Sequence, residues 1–510
     1  MALWISLTTF LLGLVTFLVS LMLIRSRTRR TQANFPPKGP PEWPIIGSLL
    51  SLAGEHPPHQ ILAGMAKKYG PIFSMQMGSF YTIVLSDYSL VKQAFARSGD
   101  DFCDRPRITM IEHLSRGKGL IAGYSSPVQT EQRRFTFSAL RSLGMGKFRM
   151  EETIIEEVKH LVKNFEGRHS EPFSPFHDII VSVSNIICWL NLGKRFDYND
   201  EDFKGVIEAL LAIVEVTEVG GAFNFIPFLR FLPRSGLKKC LQSKAHFDKY
   251  MYPLFGKIKQ DFVEKSDPAT CFIHMYADKI AEAASMAKES TTTNSFNDEN
   301  MIVAVADLFV AGTETTATTL KWALLYMLVN QDVQQKVQEE LDRVVGLDRL
   351  PSLLDKPNLP YTEATLLEIQ RKASIVPLGV PHATTKDAVL NGYDIPKGTV
   401  ILPNQWAIHH DPDLWKNPDE FNPDRFLDPE TKQVVQREEL IPFSIGRRRC
   451  IGEELAKVEL FLFFSHLLCH FRFVLPPGAP PPTMKGRSLA TYVPHQYSLC
   501  AIPRRTEKKD

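Results

Sequence analysis

No two cysteines in this chain are spaced as C-x-x-C. The seven that occur, at 103, 188, 240, 271, 450, 469 and 500, are odd in number and widely scattered. A disulfide framework and a zinc site are thereby excluded, and a reducing compartment is implied. Excess charge is also lacking, since 59 Lys and Arg stand against 57 Asp and Glu, a net +2. No global field recruits nucleic acid, so any electrostatic partnership must come from a local patch. Neither G-x-G-x-x-G after a strand nor G-x-x-x-x-G-K-[ST] is found, and "GMGK" at 144 to 147 is too short to qualify. Without a nucleotide-binding module the chain cannot take hydride from a nicotinamide by itself. Repeats are absent, and no composition break divides the chain after residue 50.

What is present is a 510-residue chain, 44% hydrophobic and 23% charged, the composition of a folded globular protein. Residues 1 to 24 carry no charge and are dominated by Leu, Val, Phe and Ile. As a helix they would rise roughly 36 Å, enough to cross a bilayer. "RSRTRR" follows at 25 to 30, and positive charge after the span holds the rest of the chain on the cytoplasmic side. A cleaved signal would be shorter, with its charge ahead of the apolar run. The expectation is an uncleaved single-pass anchor over 1–24, a basic and proline-rich linker over 25–47, and one body over 48–510. The five prolines of "FPPKGPPEWPIIG" favour an extended, semi-rigid spacer.

Within the body, "IFSMQM" and "TIVLS" flank Gly78-Ser79 as a hairpin, and "AVLNGYDI" carries the Asn391-Gly392 turn signal before "GTVIL". Helical signals dominate elsewhere. Val333, Val337, Leu341 and Val344 repeat at helical spacing, and "EELAKVELFLFFSHLL" reads as a buried helix. A polar stretch, 285 to 300, reads as a surface loop ending in a cap for a helix from about Met301 to Asn330. The fold class expected is mainly α with small β-sheets.

Most of the cysteines suit apolar core positions, such as Cys188 in "NIICWLNL" and Cys469 in "SHLLCHF". Cys450 differs, because "FSIGRRRCIG" surrounds it with glycines and arginines. Gly446 and Gly452 remove side chains on both sides, so a flat bulky group can approach the backbone. Arg448 is placed to stabilise a thiolate and pair with an anion, and the helix beginning just beyond favours a negative sulfur. A soft anionic ligand on an opened loop suits heme iron held by a thiolate.

Phe443, Gly446, Arg448, Cys450 and Gly452 match F-x-x-G-x-R-x-C-x-G, and the chain resembles the cytochrome P450 family over nearly its whole length. "ADLFVAGTETT", "PNLPYTEA", "PKGTVILPNQWAIHHDP" and "IGEELAKVELFLF" resemble microsomal eukaryotic members of families 1 and 2, within the family 2 clan. The resemblance implies the P450 fold, heme b, and electrons supplied from NADPH by a separate flavoprotein reductase, with cytochrome b5 a possible second donor. It implies monooxygenation, in which one atom of dioxygen enters a C–H bond and the other leaves as water. It places the body at the endoplasmic reticulum membrane, on the cytoplasmic side, with a lipophilic substrate.

By residue, the resemblance makes Cys450 the ligand to iron, and Glu314 and Thr315 of "AGTETT" the acid and threonine that relay protons. Ala311 stands on the same helical face as Asp307 and Thr315. Gly312 and the threonines 313, 315 and 316 give poor local helix propensity, and a glycine with back-bonding threonines can open the helical ladder and leave a groove over a cofactor. Glu368 and Arg371 of "EIQR", with Arg425 of "NPDRF", would form an ion-pair network that shapes the pocket. Arg133, His382 and Arg448 would contact heme propionates. The chain departs from the family's W-x-x-x-R helix, because Gln129 stands where tryptophan is expected. Glutamine still donates a hydrogen bond but lacks the flat apolar face. Arg447, Arg448, Arg449 and Lys457 form a basic patch that could dock an acidic electron donor.

Substrate contacts are expected in 108–121, 218–225, 303–311, 375–380 and 489–493, all mainly apolar, fitting a fatty acid, steroid or xenobiotic. "FSPFHDIIVSVSNIICWLNLGKRFDYND" resembles a fatty-acid-hydroxylating subgroup. Two rival readings are a heme-thiolate isomerase or dehydratase acting on lipid peroxides, and a heme-binding sensor without catalysis.

Overall fold

The computed structural model describes residues 34–145, 148–216, 222–226, 229, 236–265, 268–287, 295–346 and 348–504, with positions 9, 13, 16, 17 and 20. Those five isolated positions are helical. The rest of the expected anchor and the basic cluster at 25–30 lie outside the described residues, as do residues 218–221 of one expected substrate segment.

Six helices build the site: Pro127–Ser142 (α1), Phe176–Leu192 (α2), Asp298–Val329 (α3), Gln331–Val344 (α4), Pro360–Ala373 (α5) and Glu453–His470 (α6). The Asn297 side chain accepts from the Asn300 amide and starts α3 three residues earlier than the polar run suggested. The other end of that run differs too, because a preceding helix continues to Ala287. Among the described residues, α3 is long and apolar enough to cross a membrane, yet half of its apolar stretch is buried inside the protein. It is the central core helix, packed with α2 and α6 around Phe309, Trp322, Phe461 and Phe463. Helix α6 is buried on nearly every side, and α4 buries Val333, Val337 and Leu341 while Val344 is half-buried, as their spacing requires.

The main sheet runs Ile72–Met77 (β1), Phe80–Leu85 (β2), Val400–Pro403 (β6) and His382–Ala383 (β3) in spatial order β1-β2-β6-β3. Strands β1 and β2 are antiparallel about Gly78-Ser79, with Met77 opposite Phe80; β6 joins β2 in parallel. Ala388–Leu390 (β4) and Tyr393–Ile395 (β5) form the Asn-Gly hairpin, with φ +50° at Asn391 and +80° at Gly392. The remaining strands are Phe471–Val474 (β7), Gly486–Ser488 (β8), Tyr492–Pro494 (β9) and Cys500–Pro503 (β10), paired as β7–β10 and β8–β9.

The proline-rich stretch is not a free spacer between 36 and 48. Ser74 donates from its amide to Pro37, while the Gly39 and Ser48 amides donate to Ser74 and Gln76. Its prolines leave carbonyls unpaired within the segment, and the edge of β1 uses them.

Candidate functional site

The Cys450 loop is built by close backbone packing. Gly446 holds φ +76°, and a Cβ there would overlap the carbonyl oxygen of Phe95. This glycine therefore admits the neighbouring 93–97 turn, which corrects the expectation that it opens room for a flat ligand. Around Gly452 a Cβ would meet nothing nearer than the Cys450 sulfur at 4.0 Å. The Cys450 amide donates to the Phe443 carbonyl at 3.0 Å and closes the loop. Burial pushes the Cys450 thiol up, while the Gly452 amide and the Arg133 and Arg449 guanidiniums favour the thiolate. The expected helix-start contribution is thus present through Gly452. The expected role of Arg448 toward the sulfur is not, because its guanidinium turns away to the Cys103 and Gly123 carbonyls.

Cys450 opens into a cavity of about 770 Å³ walled by Gln129, Arg133, Arg448, Arg449 and the start of α1. Ser126 caps α1 by accepting from the Gln129 amide, with Pro127 at the first helical position, and so aims Gln129 and Arg133 inward. Three guanidiniums meet here: Arg105, Arg133 and Arg448. Burial lowers all three, Arg448 to about 10, and each of Arg105 and Arg448 is further lowered by a neighbouring arginine. Among the described residues their hydrogen bonds reach only main-chain carbonyls: Arg105 to Ile121, Val380 and Pro381, Arg133 to Arg449, Arg448 to Cys103 and Gly123. Among the described residues, buried Arg448 Nη1 and Gln129 Nε2 have no hydrogen-bond partner.

Such a cluster of like charges and orphan donors is unfavourable unless an anion completes it. The two carboxylates of heme b fit that demand, and the cysteine sulfur fits its iron. His382 is buried, stacks on Phe95 at 3.9 Å and donates from Nδ1 to the Phe102 carbonyl at 2.7 Å. Burial, Arg105 and Arg448 hold it far below its usual range, so it is neutral. With the ring proton on Nδ1, the neutral Nε2 can only accept, so His382 offers no donor to a carboxylate, which corrects the expectation of a propionate contact through it.

On α3, Ala311 and Thr315 are half-buried, neither lines the Cys450 cavity, and Thr315 Oγ1 donates to the Ala311 carbonyl at 2.7 Å. This is the back-bonding threonine the sequence suggests, although α3 stays continuous. Gly312 does not open a groove over a cofactor. A Cβ there would collide with Ile187, so its role is to let α2 approach α3. Glu314 is buried but stands off the Ala311–Thr315 face: its Oε1 accepts from Thr318 and Thr491, each at 2.9 Å. Glu314 and Thr315 share no hydrogen bond among the described residues. Asp307 Oδ2 accepts from the Leu120 and Ile121 amides at 2.6 and 3.1 Å, tying the 119–121 loop to α3.

Behind the site Glu368 and Arg371 form a bidentate pair at 2.7 and 2.8 Å, and Arg425 Nε reaches Glu368 at 3.1 Å. Arg371 also donates to the His409 and Pro418 carbonyls. The expected network is therefore complete, with Glu368 and Arg371 fully buried and Arg425 at its edge.

The basic patch expected to meet an electron donor is partly neutralised, two carboxylates standing against its four cations. Arg447 pairs with Asp100 at 2.6 Å, Arg449 and Lys457 both pair with Glu453 at 2.5 and 2.8 Å, and Arg448 is buried. Sequence reasoning missed Arg105. In "DRPRI" it reads as a loop arginine between an acid and a proline, and only tertiary packing buries it against the 380–381 backbone. Thr491 was marked only as part of the 489–493 segment, and its bond to Glu314, 177 residues away, had no signal in the sequence.

Comparison with known proteins agrees with this geometry. The Cytochrome P450 family model matches residues 37–501. The chain is 39% identical to human Cytochrome P450 2U1 over 501 residues, covering 94% of this chain and 91% of that protein. It is 41% identical to the mouse 2U1 protein over 467 residues, covering 91% and 86%. Human Cytochrome P450 2J2 is 39% identical over 502 residues, covering 97% and 96%. A thiolate loop, a buried cationic cradle and a full-length match converge, and the chain belongs to the cytochrome P450 family of heme monooxygenases, within the family 2 clan.

Proposed function

We propose that this protein is a membrane-anchored monooxygenase of lipophilic substrates, long-chain fatty acids first among them. Its electrons come from NADPH through a separate flavoprotein reductase, with cytochrome b5 as an accessory donor. The observation that carries the reading is one cavity holding the Cys450 sulfur beside guanidinium and amide donors that lack an anion. When bound, heme supplies dioxygen activation, with thiolate electron density favouring O–O cleavage.

This chain's residues do the remaining work. Arg105, Arg133, Arg448 and Gln129 would hold the heme carboxylates, His382 packs beside them on Phe95, and Cys450 would hold the iron. Thr315 presents a hydroxyl on the half-buried face of α3, and Glu314 stores a proton site one residue away. Apolar side chains at Ile302, Ala306, Val310, Ile375 and Leu489 stay partly buried against the core, which suits an oily substrate and excludes water. The fatty-acid preference rests on the sequence resemblance of 173–200. The uncharged run at 1–24 and the basic cluster after it support single-pass anchoring in the endoplasmic reticulum membrane, body on the cytoplasmic side.

The test is spectroscopic. Reduced, carbon monoxide-treated protein should show the red-shifted Soret band of thiolate ligation, and Cys450→Ala should abolish it; an unchanged band would assign another ligand. A spin-state titration with fatty acids, steroids and polycyclic aromatics then ranks substrates, and a response confined to the last two would remove the fatty-acid reading. Deleting residues 1–30 should release the protein from membranes with heme retained.

A further inference from the structure

Glu314, Thr318 and Lys321 fall at i, i+4 and i+7 on α3, forming a buried polar stripe with Glu314 about 100° round the helix from Thr315. Thr491 closes it from the tip of the β8–β9 hairpin. Its hydroxyl and that of Thr318 both donate to Glu314 Oε1 at 2.9 Å, while Glu314 Oε2, equally buried, has no hydrogen-bond partner among the described residues. Within the tip the Leu489 amide donates to the Thr491 carbonyl; the tip is otherwise held by the Tyr492 amide donating to the Ile375 carbonyl at 2.7 Å and by Leu489 and Ala490, which pack partly buried against the core. Leu489 and Ile375 belong to the segments assigned to substrate contact. The carboxyl that would feed protons is therefore bonded to the element that would feel the substrate.

We propose that Thr491 is a positioning residue: with Thr318 it parks the Glu314 carboxyl away from Thr315, and displacement of the hairpin tip by substrate releases it. This rests on the monooxygenase reading of Glu314. Proton supply is thereby tied to an occupied pocket, which limits loss of reductant when no substrate is present. A hydroxyl donor on a buried carboxyl is a strong tether, and its removal is felt at the atom it holds.

The experiment uses the full-length heme-loaded protein. Infrared difference spectra of the substrate-free ferric form locate the Glu314 band by its loss in Glu314→Gln. Thr491→Val, close in shape to threonine, should shift that band, and Thr491→Ser should restore it. With the reductase and no added substrate, Thr491→Val should raise NADPH consumption about tenfold. Combining it with Glu314→Gln should cancel the rise. Thr318→Val removes the other tether and should act in the same direction, so a poorly loaded Thr491→Val protein leaves the question answerable. An unmoved band together with unchanged consumption in both valine variants overturns the latch. If Glu314→Gln leaves product formation with substrate unaltered, the proton role of Glu314 itself fails, a separate result.

Discussion

Glu368 and Arg371 lie three residues apart on α5, and neither side chain is exposed to solvent. At the surface such a pair contributes about 0.3–0.5 kcal/mol. Buried, its removal on one side leaves an uncompensated charge, at a cost of about 3–5 kcal/mol. Glu368→Ala should strand both Arg371 and Arg425 and lower the urea midpoint by that amount with loss of bound heme. Arg425→Ala should cost less, since Arg371 keeps its bidentate pair. Equal losses in the two variants would show that the network acts as one unit rather than through the Glu368–Arg371 pair.

The two glycines of the cysteine loop separate by the space around them. Gly446→Ala forces a Cβ at positive φ into the Phe95 carbonyl, so folded, heme-loaded protein should be lost. Gly452→Ala meets only the sulfur at 4.0 Å, at a φ of −95°, and should load heme with a thiolate spectrum. The yield of the reduced carbon monoxide band in each variant checks this. A loaded Gly446→Ala protein would contradict the packing role.

Legibility in the sequence followed the range of the physics involved. The Asn391-Gly392 turn, the Asn297 cap and the apolar repeat of α4 depend on neighbours within one or two turns, and each emerged from the chain as written. The cysteine loop was also readable, because its residues are consecutive. What escaped was the purpose of residues whose partners lie far off. Gly312 looked like a weakness in α3, whereas it is the seat for Ile187 of another helix. Arg447 and Lys457 looked like free cations, but Asp100 and Glu453 neutralise them, the former from 347 residues away. Arg105 carried no periodic or motif signal, and its burial is a property of the assembled backbone.

The cationic cradle predicts how heme is lost. Arg105→Leu removes a buried guanidinium held by three carbonyls, leaving one fewer positive group for the propionates. Hydrogen bonds to charged groups contribute about 1.5–3 kcal/mol, so transfer of heme to an apo-globin acceptor should quicken at least tenfold. Gln129→Leu should quicken it as well, because the orphan Nε2 is its donor. Gln129→Trp should slow transfer, since the indole restores a donor and a flat face. An unaltered rate in all three would separate these residues from the cofactor.

Asp307 gives the protein a pH dependence of definite sign. Burial raises this carboxyl from 3.8 to about 6, against the pull of the Leu120 and Ile121 amides. Between those values the folded state holds a proton that the unfolded chain has released. Stability from this group is therefore full below about pH 4, declines as pH rises toward 6, and is flat above, a loss of about 3 kcal/mol. Asp307→Asn keeps one oxygen that can accept from both amides, and it cannot ionise. Urea unfolding from pH 4 to 7 should show a shallower decline for the variant than for the native chain, and the two curves should converge toward pH 4. Asp307→Leu should instead loosen the 119–121 loop, because it removes the one oxygen that serves both amides. Faster amide exchange at Leu120 and Ile121, without a change at Thr315, would separate this loop tether from the proton relay on the adjoining turns of α3.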